Sequence, residues 1–402
     1  MRIMNKKQIP VGELRLGMYV TELDRPWLGT PFPFQGFPIT SADQIAALKQ
    51  HCKTVVIDLD RDATDGPHAG HGLTETSLLG SVVYTEAASV EKELPVARAI
   101  YSDFEENVQR TFDKLRVTEK LDLKSLKDSV RSMSRSIERN PDAMMLLSRI
   151  KQKSDAEFGR AVDTMIHMIA FGRFLQFPGE RLLLLGFAGL LLNIGKVRLP
   201  DAVLQKKGAL IAEEIALAKS HVMHSVDLIR AAPGLPQDLE DIVIQHHERL
   251  DGSGYPQGLR DKQISVDGAI AGLVDSYSAF TSVRPYAEQM SPSVALNTLH
   301  RLRETLFDEM LVEKFIECIG IYPVGSTVEL NTGEVGIVIA QNLARRLKPR
   351  VMVILDAGLK PIRPQVILDL VKEPKATPDE PYRIMRTLPR DKLPIDLEQF
   401  LF

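Results

Sequence analysis

Residues 246–256 read HHERLDGSGYP and are the most informative stretch of the chain. Two adjacent histidines are followed by an acid, and neutral imidazoles are good ligands for Zn, Fe, Ni or Mn. The glycines and the proline that follow break a helix and let the backbone approach a ligand closely. A histidine pair alone is a weak signal, because most paired histidines are polar surface residues. The whole string predicts a metal site at the end of a helix.

The longer string HHERLDGSGYPQG resembles the HHExxDGxGYP signature of the HD-GYP family, bacterial phosphodiesterases that hydrolyse cyclic di-GMP, and fills every fixed position of it. The surrounding residues, 142–320, read as almost continuous helix. The resemblance implies a mainly α protein with an all-helical HD-superfamily domain, for which we take residues 141–320. It also implies two or three divalent metals that activate a water and neutralise the phosphodiester.

The resemblance assigns several site residues. The metal ligands that remain are His221 in LAKSHVMHSVDLI, the pair His246 and His247, and Asp275 in GLVDSYSAFTSVRPY. Lys196 corresponds to the lysine that follows the family's His-Asp dyad. Lys196 and Asp275 are therefore the expected catalytic residues, with catalysis impaired for the reason that follows.

The His-Asp dyad itself is missing. The family reads LLHDIGK where this chain reads LLLNIGK at residues 190–196, so Leu192 and Asn193 occupy the two ligand positions. Counting back from the segment AFGR at 170–173, the early histidine of the family falls on Arg160 and the acid of trinuclear members falls on Ala156. Leucine cannot coordinate a metal, and a neutral asparagine does not offset the charge of two cations as a carboxylate does.

These substitutions predict a reduced metal content. Three histidines suffice for one Fe, Mn or Zn ion, so we expect at most one ion, or none. We expect Arg160 to replace the missing cation, pairing with Asp275 and offering its fork to a bound phosphate. The alternative is that Arg160 extends to solvent, which its length equally permits.

The parts that would bind a nucleotide are better preserved. The resemblance assigns ligand binding to Gly254, Tyr255 and Pro256 of the loop and to Arg284 in SVRPY. Lys206 adds a point charge, and Arg160 completes the expected set. The family often has a basic residue three positions after the arginine of SVRPY, where this chain has alanine.

Short segments flank the helical region. Residues 1–62 mix strand-like pieces with turns and predict a small α+β domain, and LRLGMYVTELDRPW within it resembles the small domain of unknown function that often precedes HD-GYP domains. Residues 63–140 predict a linker and two amphipathic helices separated by a break near Thr118–Glu119. The helices either pack on the following domain or on each other, or they relay a signal or form a dimer seam. Residues 321–402 predict a β appendage with a hairpin, followed by an extended or partly ordered tail.

Composition excludes several classes of protein. The formal net charge is −3, which argues against a nucleic-acid or membrane-surface binder. The two cysteines have no metal-type spacing, and the N-terminus lacks the apolar region of a signal peptide. The longest apolar run, Leu182–Leu192, is too short to span a bilayer. The sequence therefore predicts a cytoplasmic protein.

Together these features predict a degenerate HD-GYP protein of bacterial cyclic di-GMP signalling, which binds cyclic di-GMP or a partner with little or no hydrolysis. One alternative is an active metal-dependent phosphodiesterase with a rebuilt site. Another is a scaffold whose GYP loop contacts diguanylate cyclases or other signalling domains. The sequence leaves open whether the chain is an enzyme and whether it forms a homodimer.

Overall fold

The chain divides into two compact units. The computed structural model describes residues 6–25, 37–39, 41–62, 73–119, 121–151, 156–282, 289–388 and 397–400. One unit comprises Met1–Gly70, Leu296–His300 and Ile319–Phe402, and the other comprises His71–Ala295 and Arg301–Cys318. All of the described strands lie in the first unit, and the second is helical. The mainly α prediction is confirmed, whereas the division at 62, 140 and 320 remains a prediction.

The N-terminal part of the first unit is a small α+β fold, as predicted. Its strands β1 (Lys6–Pro10), β2 (Met18–Leu23), β3 (Phe37–Pro38) and β4 (Thr54–Asp62) form an antiparallel sheet in the order β1-β4-β2-β3. Helix α1 (Ala42–His51) starts at Ser41, whose hydroxyl accepts a hydrogen bond from the N–H of Gln44 in a capping box. Val20, Leu48 and Val55 are buried in the shared apolar core.

The C-terminal part of the first unit is a five-stranded antiparallel sheet. Its strands are β5 (Thr327–Leu330), β6 (Val335–Ala340), β7 (Arg350–Leu355), β8 (Pro361–Asp369) and β9 (Ile384–Leu388), in the order β8-β7-β6-β5-β9. The predicted hairpin is β5–β6. The prediction of an extended tail was wrong for residues 384–388, which form β9 and pair with β5. The burial of Ile384 in the core of this sheet favours the strand over the extended tail that the prolines suggested.

The second unit is built from thirteen of the described helices. They are α2 (Glu75–Leu78), α3 (Val90–Thr118), α4 (Leu123–Arg139), α5 (Pro141–Ile150), α6 (Ala156–Phe174), α7 (Gly179–Leu191), α8 (Asp201–Leu204), α9 (Ala212–Lys219), α10 (His221–Arg230), α11 (Leu239–Gln245), α12 (Val266–Thr281), α13 (Pro292–Leu302) and α14 (Glu309–Ile319). The division into units assigns residues 296–300 of α13 and the last residue of α14 to the first unit. The core lies where α6, α7 and α12 pack. None of the described helices has the length and hydropathy needed to cross a bilayer.

The predicted amphipathic pair α3 and α4 is confirmed, with the break at Glu119. The apolar stripe of each helix is buried, and the two helices pack on each other. The buried carboxylate of Glu93 on α3 accepts a hydrogen bond from Ser136 at 2.7 Å and forms an ion pair with Arg139 at 2.6 Å. The stripes therefore serve packing within the chain, and the dimer seam remains untested.

Candidate functional site

Three histidines meet at the ends of two helices, as the sequence predicts. His221 is the first residue of α10, and His246 and His247 directly follow α11. One ring nitrogen of each lies within 4.8 Å of the others. His221 and His246 are buried and His247 is half-buried. In the described part of the chain, this is the one cluster of histidine, cysteine or carboxylate side chains with the spacing of a metal site.

The rings of His221 and His246 are held so that one nitrogen stays available. The Nδ1 atom of His221 lies 2.7 Å from the carbonyl of Ala218, and that of His246 lies 2.6 Å from the carbonyl of Val243. Since a carbonyl only accepts, Nδ1 carries the proton and Nε2 keeps its lone pair. Both Nε2 atoms are buried and have no hydrogen-bond partner among the described residues. This arrangement is typical of metal ligands oriented by a backbone carbonyl.

Burial keeps the three rings neutral. It lowers the pKa of His221 to about 3 and that of His246 to about 4, and it lowers the pKa of His247 well below the ordinary value. Metal ligation requires neutral imidazole, so at pH 7 no proton has to leave before an ion binds. The cluster therefore fits one divalent ion.

Close backbone packing brings the histidines to the position of the missing dyad. Gly195, in the 3-10 turn Ile194–Arg198, lies against the carbonyl of His221 with no room for a Cβ atom. The hydroxyl of Ser225 donates to the carbonyl of Leu192 at 2.9 Å and accepts from the N–H of Gly195 at 2.8 Å. On α12, Gly272 likewise lies against the carbonyl of His246. These contacts fix α10 beside residues 192–195 and the end of α11 beside α12.

The predicted pairing of Arg160 with Asp275 is present. The guanidinium Nη2 lies 3.6 Å from Oδ1 of Asp275, and both side chains are buried, with exposed fractions of 8% and 6%. The amide of Asn193 donates to the same oxygen at 2.9 Å. Burial alone would raise the pKa of Asp275, but the Arg160 cation, His246, Lys196 and the Asn193 amide outweigh it and lower the pKa to about 2. Asp275 is thus a compensated carboxylate and is not part of the histidine cluster.

The other predicted cations are also engaged. Lys196 donates to Glu157 of α6 at 2.9 Å, and burial lowers the pKa of this lysine. Lys206 forms an ion pair with Glu214 of α9. Arg284 lies in residues 283–288, outside the described residues. The predicted set thus separates into a histidine cluster, an Arg160–Asp275 pair, and two lysines held by glutamates.

The loop after His247 folds back over the end of α11. Tyr255 stacks on His247, with ring centroids 4.7 Å apart and an interplanar angle of 22°. Pro256 follows it through a cis peptide bond. The ammonium of Lys219 lies 4.8 Å from the Tyr255 ring centroid. Gly254 is required here because a Cβ atom would collide with the backbone of residues 247–249. The predicted ligand-binding loop is therefore packed directly on the predicted metal cluster.

Sequence reasoning missed two residues that support this loop. The buried carboxylate of Glu248 accepts hydrogen bonds from the N–H of Gln257 at 2.7 Å and of Leu259 at 2.9 Å. Arg249 donates to the carbonyls of His246 at 3.0 Å and Glu248 at 2.7 Å. The sequence feature that could have identified Glu248 is its position between a histidine pair and a glycine-rich turn. A carboxylate at that position can accept hydrogen bonds from the exposed N–H groups of the turn.

Family models match three parts of the chain. Residues 144–311 match the HD domain, residues 6–126 match a domain of unknown function (DUF3391), and residues 327–377 match the KOW domain associated with HD domain. A solved structure titled Bd1817, a HDG"Y"P protein from Bdellovibrio bacteriovorus, covers 77% of this chain and 98% of its own, with 16% identity and a TM-score of 0.46.

Three of the curated relatives that the chain matches are named as cyclic di-GMP phosphodiesterases. The chain is 33% identical over 370 residues to "Cyclic di-GMP phosphodiesterase PA4108" of Pseudomonas aeruginosa, covering 90% of this chain and 89% of the relative. It is 36% identical to a "Cyclic di-GMP phosphodiesterase" of Thermotoga maritima, covering 33% of this chain and 36% of the relative. It is 30% identical to "Cyclic di-GMP phosphodiesterase response regulator RpfG" of Xanthomonas campestris, covering 46% of this chain and 50% of the relative.

Proposed function

The chain belongs to the HD-GYP family of HD-domain proteins, and from this premise we propose that it binds cyclic di-GMP at the described site with little or no hydrolysis. The observation that carries the proposal is the buried Arg160–Asp275 ion pair. This ion pair lies where the resemblance places a second metal, beside the dyad positions Leu192 and Asn193.

A two-metal centre cannot be assembled from the residues present. A second ion needs an anionic oxygen, and Asp275 already has an arginine and an amide as partners. Leu192 is fully buried and offers no donor atom. An ion placed here would also face the Arg160 cation, which repels it. The nucleophile and the leaving-group stabilisation that a metal pair supplies are therefore both reduced.

One ion still fits the chain. His221, His246 and His247 would hold a single Fe, Mn or Zn ion, and such an ion would supply positive charge to a phosphate oxygen. The residues themselves orient the ligand: Tyr255 covers one side of the cluster, and Lys196 contributes a nearby cation. We choose cyclic di-GMP as the ligand because the names of two relatives, those of Pseudomonas aeruginosa and Xanthomonas campestris, contain it.

A second candidate is an active phosphodiesterase with a rebuilt, single-ion site. The Nε2 atoms of His221 and His246 favour it, because they have no hydrogen-bond partner among the described residues and their lone pairs can bind an ion. A rebuilt site of this kind has no carboxylate that bridges two metals. Its turnover would therefore depend on His221, His246 and His247 alone.

The test is a calorimetric titration of the purified protein with cyclic di-GMP, with elemental analysis and a hydrolysis assay on the same sample. Binding with negligible turnover supports the proposal. Turnover at about 1 per second or faster, a rate typical of enzymes, favours the rebuilt site. Absence of binding, with and without added Mn²⁺ or Fe²⁺, overturns the proposal and favours a protein partner at the loop.

A further inference from the structure

His247 is held differently from the other two histidines. His221 and His246 are each fixed by a hydrogen bond from Nδ1 to a backbone carbonyl. Within the described residues, neither ring nitrogen of His247 has such a partner. Its ring instead stacks on Tyr255, with the centroids 4.7 Å apart, and makes a tilted contact with His246 at 4.1 Å. Ring stacking is therefore what orients this ligand.

The position of Tyr255 depends on the loop that carries it. Its N–H donates to the carbonyl of His247 at 3.2 Å. Further along, the loop is fixed by Glu248, whose two carboxylate oxygens each accept one backbone N–H, from Gln257 and Leu259. Glu248 is 4% exposed, and both of its carboxylate oxygens are engaged by backbone N–H groups of the loop. The carboxylate of Glu248 therefore stabilises the folded conformation of the loop.

We propose that Tyr255 is a positioning residue for the metal ligand His247, and that Glu248 acts through the loop to hold Tyr255 in place. The inference rests on the single-ion part of the proposed function and assigns the GYP loop a role in metal binding as well as in ligand contact. A tyrosine ring at 22° to the imidazole restricts its rotation as a hydrogen bond restricts the other two. Groups that orient ligands in this way typically change metal affinity about 10–100-fold.

The test is calorimetric titration with Zn²⁺, supported by the absorption spectrum of bound Co²⁺. Tyr255→Ala should weaken Zn²⁺ binding about tenfold or more, and Tyr255→Phe should retain it, because the ring and not the hydroxyl does the stacking. Glu248→Gln should weaken binding to a smaller extent, since the amide NH2 that replaces one carboxylate oxygen cannot accept the N–H bond that this oxygen accepts. Glu240→Gln, an exposed change on α11, is the matched control. Thermal unfolding of each variant establishes that it is folded.

Two results would overturn the proposal. One is wild-type Zn²⁺ affinity in Tyr255→Ala, and the other is equal loss in Tyr255→Phe and Tyr255→Ala. A His221→Ala variant separates the causes: if it binds weakly while Tyr255→Ala binds normally, the site stands and only the positioning role fails. If His221→Ala binds normally, or the wild-type chain binds no Zn²⁺, the single-ion site fails with it. The cyclic di-GMP titration is independent of this series.

Discussion

His246 and Asp275 are both buried in the same site, yet the surrounding chain satisfies only one of them. The Nε2 atom of His246 has no hydrogen-bond partner in the described part of the chain, whereas Oδ1 of Asp275 is contacted by both Arg160 and Asn193. We call the first region (His221, His246, His247) the histidine half and the second (Arg160, Asn193, Asp275) the arginine half. A neutral imidazole can remain unpartnered at modest cost, while a buried carboxylate without compensation costs far more. The carboxylate of the arginine half is therefore compensated without a ligand, although Oδ1 of Asn193 has no hydrogen-bond partner among the described residues. The histidine half leaves the Nε2 atoms of two ligand-type side chains without a partner in the same part of the chain.

The largest effect concerns hydrolysis. If the arginine half excludes a second ion, turnover of cyclic di-GMP in Mn²⁺ or Fe²⁺ should be at least about a thousandfold below the 1 per second typical of enzymes. The physical reason is that two contributions of several kcal/mol each are lost together. The rate of product formation, measured by chromatography, tests this. A rate near 1 per second would contradict the claim that the arginine half excludes a second ion.

The next effect is on stability. Arg160→Ala should lower the free energy of unfolding by about 3–5 kcal/mol, because it leaves the buried Asp275 unpaired. Arg230→Ala, which removes an exposed ion pair with Glu240, is the control and should cost about 0–1 kcal/mol. Urea denaturation provides the comparison. The double variant Arg160→Met/Asp275→Asn should recover most of the lost stability. Equal losses in Arg160→Ala and Arg230→Ala would refute the role given to Arg160.

The histidine half can be tested by metal content. We expect at most one ion per chain by elemental analysis, and His221→Ala should weaken its binding by about a hundredfold or more, exceeding the effect of a supporting residue. His224→Ala, one turn along α10 and outside the cluster, is the matched control. Two tightly held ions would show that the arginine half accepts metal after all.

The smallest effect is on the pH dependence of stability. Because the pKa of Asp275 falls from 3.8 to about 2 on folding, its stabilising contribution is present above pH 4 and is lost as the pH falls to 2. The contribution is about 2 kcal/mol. Urea denaturation between pH 5 and 2 should show this loss in the wild-type chain and a smaller one in Arg160→Met/Asp275→Asn. Parallel curves for the two proteins would contradict it.

The two halves also differ in how far the sequence could predict them. The histidine half is encoded locally, since two of its members are adjacent and the third stands in the segment LAKSHVMHSVDLI, which resembles the family's sequence. Arg160 was placed by register along a single helix, which is reliable because an α-helix fixes the direction of each side chain. The geometry of the pair with Asp275 needed the packing of α6 on α12, which no local pattern specifies.

Other features were beyond local pattern. Strand β9 pairs with β5 across more than fifty residues, and its short segment carries prolines on both sides, so its own sequence favours a tail. Glu248 reads as an ordinary charged residue until the loop folds back and supplies its two N–H donors. Both cases depend on partners that are distant in sequence or that exist only after folding.

The contact between Asn193 and Asp275 constrains the routes by which this site could change. Replacing Asn193 by aspartate alone would set a second carboxylate about 3 Å from the first, where like charges repel. Replacing Arg160 by histidine alone would remove the cation that compensates Asp275. Each single step toward a two-metal site is therefore unfavourable until the others accompany it. If the proposed function holds, a two-metal site would need concerted substitutions on two separate segments of the chain, at Arg160 and at Leu192–Asn193.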